Sequence, residues 1–591
     1  MTDLASETNG AAAQRLPRRR STGSWRGTGL NAWLAPAGII GVLALLIVPP
    51  ILILAHTSAV TEGTGAEAGH FTLEHFRSIF DNPRLYVSAW HSLQFSALST
   101  ILSILFGGLL AWVVVRTNAP FGPLAYITAV VSLGTPYILH VAAWTFLLGR
   151  TGPFNEAWRD LTGSSGVLMD VYSMWGMVLI QGMLWSPLVF LLMSAVFRRA
   201  NAEMEEAARM CGASIVQTVW NISFKLAWPA ITGMALFVFI RNLESFDVPV
   251  LIGGPAKVYV LTTDIYLAMA EMPPKMGHAT AFSLILIGIV SVALVFYSRF
   301  ARNADRYASV TGKGFRPRPF DLGRWRWAGG AVVITNFVFV LLLPLLATLW
   351  ISLMPFARPI RLSALKLLTL ENYQIVLSDP RYLELAFNTI VVAAGAATVA
   401  MAIALLAGWL VVRRWPGGRL IDQLINIPIV FPGIVVGVAL LILSLRVPFP
   451  LYGTLTVIVL AFVIRFLPYG MRYAHSGVMQ IHRELEEAAG VAGAGQTLIL
   501  RRIVFPLLVP ALLSGWLFIF LIGANELSMS VLLAGPQTQV MAVAMLDQWS
   551  SGQSVEVFAL GMCWSVFMTV CALVFYVLAR RTLAGAGEGG L

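Results

Sequence analysis

A membrane-spanning helix needs about 20 mostly apolar residues, and this 591-residue chain carries a long series of such runs. They fall at about 32–56, 89–115, 124–148, 174–197, 229–252 and 278–298, then 328–354, 385–412, 421–445, 452–471, 507–525 and 557–579. In hydrocarbon every backbone N–H and C=O must be satisfied internally, so runs of this length fold as helices. The expected fold class is all-α, a polytopic membrane protein of about twelve transmembrane helices. Only 12% of the residues are charged, about half of the ~25% found in soluble domains. That excludes an ordinary soluble enzyme and a disordered chain. The first run reads on through Pro49-Pro50 to Ala55, longer than the ~7–15-residue core of a signal peptide, and is read as a retained helix.

The formal charge is +11. With the N-terminus inside, roughly two-thirds of the 40 lysines and arginines fall on the cytoplasmic side, the bias that sets orientation in membrane proteins. Both termini are therefore expected on the cytoplasmic side of the membrane. The basic surplus is a topology signal, and no nucleic-acid partner is expected. The cysteines, Cys211, Cys563 and Cys571, are too scattered for a disulfide framework or a zinc site, and no metal-binding set is expected.

The chain repeats itself. Thr72-Leu-Glu-His-Phe and Asp81-Asn-Pro-Arg are echoed 297 residues on by Thr369-Leu-Glu-Asn-Tyr and Ser378-Asp-Pro-Arg, and the same offset carries Trp112 onto Trp409 and Arg116 onto Arg413. Further along the offset is 281, matching Glu205-Glu-Ala-Ala with Glu486-Glu-Ala-Ala, Pro229 with Pro510 and Gly254-Pro255 with Gly535-Pro536. The 16 residues lost between registers belong to a longer connection near 150–173 in the first half. Six helices per half is an even number, so the halves are parallel repeats about an axis along the membrane normal. The expected organisation is a basic cytoplasmic tail (1–30), a first module (31–300), a cytoplasmic linker (301–326), a second module (327–582) and a short tail (583–591).

Between the fourth and fifth spans of each half lies a patterned cytoplasmic stretch. Glu205, Ala207, Ala208 and Arg209 favour a short helix, and Gly212 and Gly493 are suited to end it, because a left-handed cap is easiest for glycine. A second short amphipathic helix should then lead into the fifth span. Small Ala residues admit another backbone closely and charged rims fix register, so this is a docking shape present twice.

These residues resemble the signature of the integral-membrane permease subunits of bacterial ABC importers: Glu-Ala-Ala, then Gly, then Pro about 17 residues beyond. It maps onto Glu206-Ala207-Ala208, Gly212 and Pro229, and onto Glu487-Ala488-Ala489, Gly493 and Pro510. The fused two-module form resembles the ferric-iron type, with thiamine and phosphonate permeases as relatives. The resemblance implies that Glu205, Glu206, Ala207, Ala208 and Gly212, with Glu486, Glu487, Ala488, Ala489 and Gly493, dock two copies of a cytoplasmic ATPase. It also implies that an outer solute-binding protein delivers the cargo. Lys225 stands where the second half has Pro506, so the two loops need not be equivalent. The chain has no G-x-x-x-x-G-K-[ST] loop. It is expected to be no enzyme and to bind no cofactor, ATP being used by the partner.

Charged residues within spans are costly, on the order of 2.5–3.5 kcal/mol, and mark candidate function. Arg241, Glu244 and Asp247 are spaced at three and read as one helix face, with Asn525 and Glu526 at nearly the same depth in the second half. They read either as a translocation path or gate, or as interhelical ion pairing such as Arg241–Glu244. Arg465 reads as a partner for an acidic residue across the interface. Two rivals remain: a secondary transporter of the major-facilitator type, which has the topology without the docking motifs, and a polytopic membrane enzyme. Within the importer reading, ferric iron leads, with thiamine, phosphonate, polyamine or an anion as alternatives.

Overall fold

A computed structural model of the chain describes residues 31–61, 69–199, 203–304 and 319–588. The expected N-terminal tail, most of the expected linker and the last three residues of the expected C-terminal tail lie outside the described residues. The first half holds α1 (Asn31–Ser58), α2 (Glu74–Phe80), α3 (Pro83–Arg116), α4 (Gly122–Gly134), α5 (Tyr137–Leu147), α6 (Pro153–Thr162), α7 (Met174–Arg199), α8 (Glu203–Met210), α9 (Phe224–Leu243), α10 (Leu261–Ala270) and α11 (Met276–Ala304). The second holds α12 (Arg326–Asn336), α13 (Leu343–Ser352), α14 (Glu371–Ser378), α15 (Pro380–Val412), α16 (Gly418–Asn426), α17 (Gly433–Arg446), α18 (Leu455–Gln480), α19 (Arg483–Val491), α20 (Phe505–Gly523), α21 (Met541–Ser550) and α22 (Ser554–Glu588). Among the described residues the only β pairing is two isolated bridges.

The repeat has structural causes. Asn82 caps α3 by accepting from the Arg84 amide at 2.9 Å, and Asp379 caps α15 by accepting from the Arg381 amide at 2.9 Å. Each is followed by a proline in the first helical position, where its missing N–H costs nothing. The core of each half is a long helix laid along its fourth-span neighbour, α3 on α7 and α15 on α18. Close approach requires small side chains. α3 supplies buried Ser96, Ser99, Ser103 and Gly107, and at the matching positions α15 supplies Ala393, Ala396, Ala400 and Ala404. The Ser96 and Ser103 hydroxyls bond the carbonyls four residues back, so these two enter the bundle satisfied.

The halves clasp one another. α1 packs on α16 and α17 of the second half, and α13 with the turn before it packs on α4 and α5 of the first. Each first span thus covers the other half's third span.

Two expectations are corrected here. The runs expected as single spans at 124–148 and 421–445 are bent pairs, α4–α5 at 112° and α16–α17 at 102°. Pro136 and Pro432 stand at the breaks as N-caps, where a proline cannot continue the preceding hydrogen-bond ladder. Among the described residues ten helices are long and apolar enough to cross a membrane, and twelve if each bent pair is one span. The fifth and eleventh spans also start earlier than expected, at Val219 and Gln496, and stop at Leu243 and Gly523. Each contains a single π turn, Val219–Ser223 and Leu500–Val504, at identical positions in the repeat. The longer connection of the first half contains α6, held by buried Asn155, whose amide donates to the carbonyls of Leu148 and Gly149 at 2.9 Å.

Candidate functional site

The elements expected to dock a partner lie at the C-terminal ends of α3 and α15. In each half the last turn of the long helix offers an arginine, and the short helix after the fourth span offers a glutamate. Arg116 forms a buried ion pair with Glu205, which also accepts from the Ser223 hydroxyl at 2.7 Å. Arg413 pairs with Glu486 at 2.6 Å, and Glu486 accepts from the Trp409 indole at 3.2 Å. The offsets of 297 and 281 meet in these pairs. Ser223 lies in the π turn, so in the first half the carboxylate ties α3, α8 and the fifth span together.

Glu205 and Glu486 therefore face inward. Placing them on a docking surface is corrected by their burial, 3% and 12% exposed; they position the helices that carry the rest. Ala207 and Ala488 are exposed, Ala208 and Ala489 half-buried, and Glu487 pairs along its helix with Arg483 at 2.9 Å. The Glu206 side chain lies outside what is described.

Gly212 and Gly493 end the helices at φ +86° and +85°. The amide after each, Ala213 and Ala494, bonds back to Ala208 and Ala489 at 3.0 Å, the six-residue closure typical of a left-handed glycine cap. Sequence reasoning missed the apolar members of this surface. Met210 is 90% and Val491 80% exposed, and Met204 and Leu485 are exposed one helix face away. The 281 offset pairs them, and that was the available signal.

The two elements differ in their surroundings. Behind the Arg116–Glu205 pair, Phe320 returns from the inter-module segment: its amide donates to Arg116 O at 2.7 Å and its carbonyl accepts from the Asn118 amide at 3.1 Å. The Asn118 side chain donates to Asp321 at 2.6 Å. In the second half Trp415 packs on Trp409 instead, ring centroids 5.4 Å apart.

The second assembly lies between the halves. Arg241, Glu244, Asp247, Asn525 and Glu526 all line one cavity of about 180 Å³, together with Tyr137, Gln181, Trp185, Arg465, Tyr469 and Ser528. Arg241, Glu244 and Asp247 do not share one helix face, as their spacing suggested. α9 stops at Leu243, Glu244 is its C-cap, and Asp247 opens the next short segment. α20 stops likewise at Gly523 before Asn525 and Glu526. The broken backbone brings both sets to one place.

Glu244 bridges the modules, accepting from Arg241 at 2.6 Å and from Arg465 at 2.5 Å. Arg465 also donates to the Phe431 carbonyl at 2.8 Å, at the bend of the α16–α17 pair. Arg465 thus pairs across the interface as its place in the sequence suggested. Glu526 accepts from the Ser528 amide at 3.1 Å and from the Ser528 hydroxyl.

The family model for the binding-protein-dependent transport system inner membrane component matches twice, at residues 103–306 and 400–584. The chain is 27% identical over 492 residues to the ferric transport system permease protein FbpB of Actinobacillus pleuropneumoniae, covering 82% of this chain and 70% of that protein. It is 24% identical over 580 residues to the probable ABC transporter permease protein y4fN of Sinorhizobium fredii, covering 95% and 96%. The spermidine/putrescine transport system permease protein PotB of Haemophilus influenzae matches at 24% over 265 residues, 45% of this chain and 92% of that protein. With both of its halves matched, this chain belongs to the binding-protein-dependent transport system inner membrane components, the permeases of ABC importers.

Proposed function

We propose that this permease carries ferric iron, handed over by an outer binding protein and driven by two copies of a cytoplasmic ATPase, with both termini of the chain in the cytoplasm. The observation that carries the mechanism is the paired anchoring of α8 and α19 by Arg116–Glu205 and Arg413–Glu486. A short helix tied by a buried ion pair to a long span transmits a push to that span instead of swinging freely. Ala207, Ala208, Ala488 and Ala489, capped by Gly212 and Gly493, form the surface each ATPase would grip, with Met210 and Val491 as apolar contacts. Closing of the ATPases would draw the two elements together and turn α3 and α15, which lie against the walls of the central cavity.

The names of the two-module relatives support iron as cargo. Reconstitution of the permease with its ATPase and the neighbouring binding protein in proteoliposomes tests this. The expected result is accumulation of radiolabelled iron that requires ATP and survives collapse of the proton gradient. Uptake driven by a proton gradient without ATP would overturn it in favour of a secondary transporter.

A further inference from the structure

We infer that Phe320 and Asn118 are positioning residues for transport: they strap the start of the second module to the end of α3, so that α8 and α12 move as one body. The inference rests on the reading that α8 meets an ATPase, and it adds what that contact carries with it. Phe320 lies outside both stretches matched by the family model. The repeat breaks at its partner. The 297 offset that carries Trp112 onto Trp409 and Arg116 onto Arg413 carries Asn118 onto Trp415. In the second half Trp415 lies against Trp409, so the ring beside the Arg413–Glu486 pair comes from the same module. In the first half Asn118 brings no ring, and Phe320 of the inter-module segment supplies one. Its ring centre is 6.5 Å from that of Trp112 and 5.9 Å from the Arg116 guanidinium carbon. Phe320 is 6% exposed and covers the Arg116–Glu205 pair, which is buried more deeply than its equivalent.

Asn118 does the fastening. Its backbone amide holds the Phe320 carbonyl, the Phe320 amide holds Arg116 O, and Thr117 and Phe320 form a parallel bridge. Its side chain grips the next two residues: Nδ2 donates to Asp321 Oδ1 at 2.6 Å, and Oδ1 accepts from the Leu322 amide at 3.1 Å. Asp321 Oδ1 also accepts at 2.9 Å from the amide of Gly323, which opens the turn leading into α12. α12 then lies on the residues just past Asn118. A Cβ at Gly329 would come within 2.8 Å of Ala119 Cβ, and one at Gly330 within 2.7 Å of Pro120 Cγ. Glycine permits that approach of helix to loop.

Residues 320 to 323 are thus each bonded to the end of α3 or to Asp321, which leaves no hinge between them. A buried ion pair is little screened, and packed, hydrogen-bonded elements are what carry coupling between distant sites. A movement of α8 reaches Arg116 through the ion pair and passes from Arg116 to α12 through the strap. α19 is held by Arg413 and Trp409 of its own module. The two short helices therefore differ in what they move: α8 draws on both modules.

The test uses the full chain in complex with its ATPase, with Cys211, Cys563 and Cys571 replaced by alanine. Gln217→Cys, Leu498→Cys and Trp327→Cys carry spin labels; Gln217 and Leu498 are exposed just beyond the two short helices, and Trp327 is exposed on α12. Pulsed dipolar spectra give the distances without nucleotide and with ATP and vanadate. In the labelled parent the Gln217–Leu498 distance should shorten with nucleotide while Gln217–Trp327 stays fixed, as in a rigid-body movement. Phe320→Ala and Asn118→Ala should each release the strap, so that the Gln217–Trp327 distance broadens and shifts with nucleotide. Phe320→Ala combined with Asn118→Trp copies the second half's own arrangement. It should regain melting temperature without regaining the fixed distance, a separation that mere covering of the ion pair would not give. Co-elution with the ATPase checks that each variant is folded. A Gln217–Trp327 distance that shifts with nucleotide in the parent, that stays fixed in both alanine variants, or that Asn118→Trp restores, overturns the strap. If Gln217–Leu498 ignores nucleotide, the docking reading fails, and the strap stands or falls on whether the alanine variants broaden Gln217–Trp327.

Discussion

Arg116 and Glu205 lie 89 residues apart in the chain and form an ion pair in which both side chains are 3% exposed. Their equivalents Arg413 and Glu486 form the same pair at 12% exposure. The repeat thus preserves a connection between span and short helix while burying it more deeply in one half.

The unequal burial predicts unequal sensitivity. Removing one partner of a buried pair strands the other charge and costs about 3–5 kcal/mol, so Arg116→Ala should lower the thermal stability of the complex and uncouple ATP hydrolysis from uptake. Arg413→Ala, in the wetter pair, should cost about 1.5–3 kcal/mol. Melting temperatures and coupling ratios of the two variants check the order; an equal or reversed order refutes the unequal anchoring.

At Gly212 and Gly493 an added Cβ would meet nothing within 4 Å, but the backbone sits at positive φ. Gly493→Ala should therefore cost only about 1–2 kcal/mol of left-handed strain and retain most uptake. Gly493→Arg, equally free of internal clash, should insert normally and abolish uptake by projecting from the docking surface. Normal uptake by Gly493→Arg would remove this turn from the ATPase contact.

Val491 and Met210 are exposed and support nothing inside the bundle. Val491→Asp and Met210→Asp should leave the stability of the isolated permease within about 0.5 kcal/mol of wild type while the ATPase no longer co-purifies. Retention of the ATPase in both variants would show that the apolar members of these helices lie outside the contact.

Glu244 holds Arg241 and Arg465, and the second bond crosses between modules. Glu244→Ala should be more damaging than Glu244→Ala combined with Arg465→Ala, because the single variant strands both guanidiniums and the double variant only Arg241. A double-mutant cycle on stability should give a coupling of about 0.5–3 kcal/mol. Strict additivity would mean that the bridge does not join the halves.

Much of the architecture was legible because its signals are local. Apolar runs of spanning length, the caps Asn82 and Asp379 each followed by a proline, and the glycines closing α8 and α19 act within a few residues of themselves. The short helices proposed for docking were legible as helices, and Gly212 and Gly493 close them in the left-handed conformation expected of a glycine cap. Glu205 and Glu486 were read as outward because a helix wheel has no preferred inside until something packs on it. The inside was set by Arg116 and Arg413, far away in the chain.

The bends at Pro136 and Pro432 were visible as prolines, but a proline near an apolar run is compatible with a kink, a cap or a break. Packing of α1 and α13 against the opposite module selected the break. The ends of α9 and α20 were missed for the same reason: hydropathy continues past Leu243 and Gly523, whereas the helical hydrogen bonds do not.

The sequence by itself determined that this chain crosses a membrane many times, in two parallel copies, each with a short glycine-capped helix. Those properties follow from the free energy of transferring side chains and backbone into lipid and from short-range capping. Only the tertiary structure decided which charges are spent on each other and which remain facing a cavity. Pairing depends on distances between Glu244, Arg465, Asp247 and Glu526 that no offset along the chain encodes.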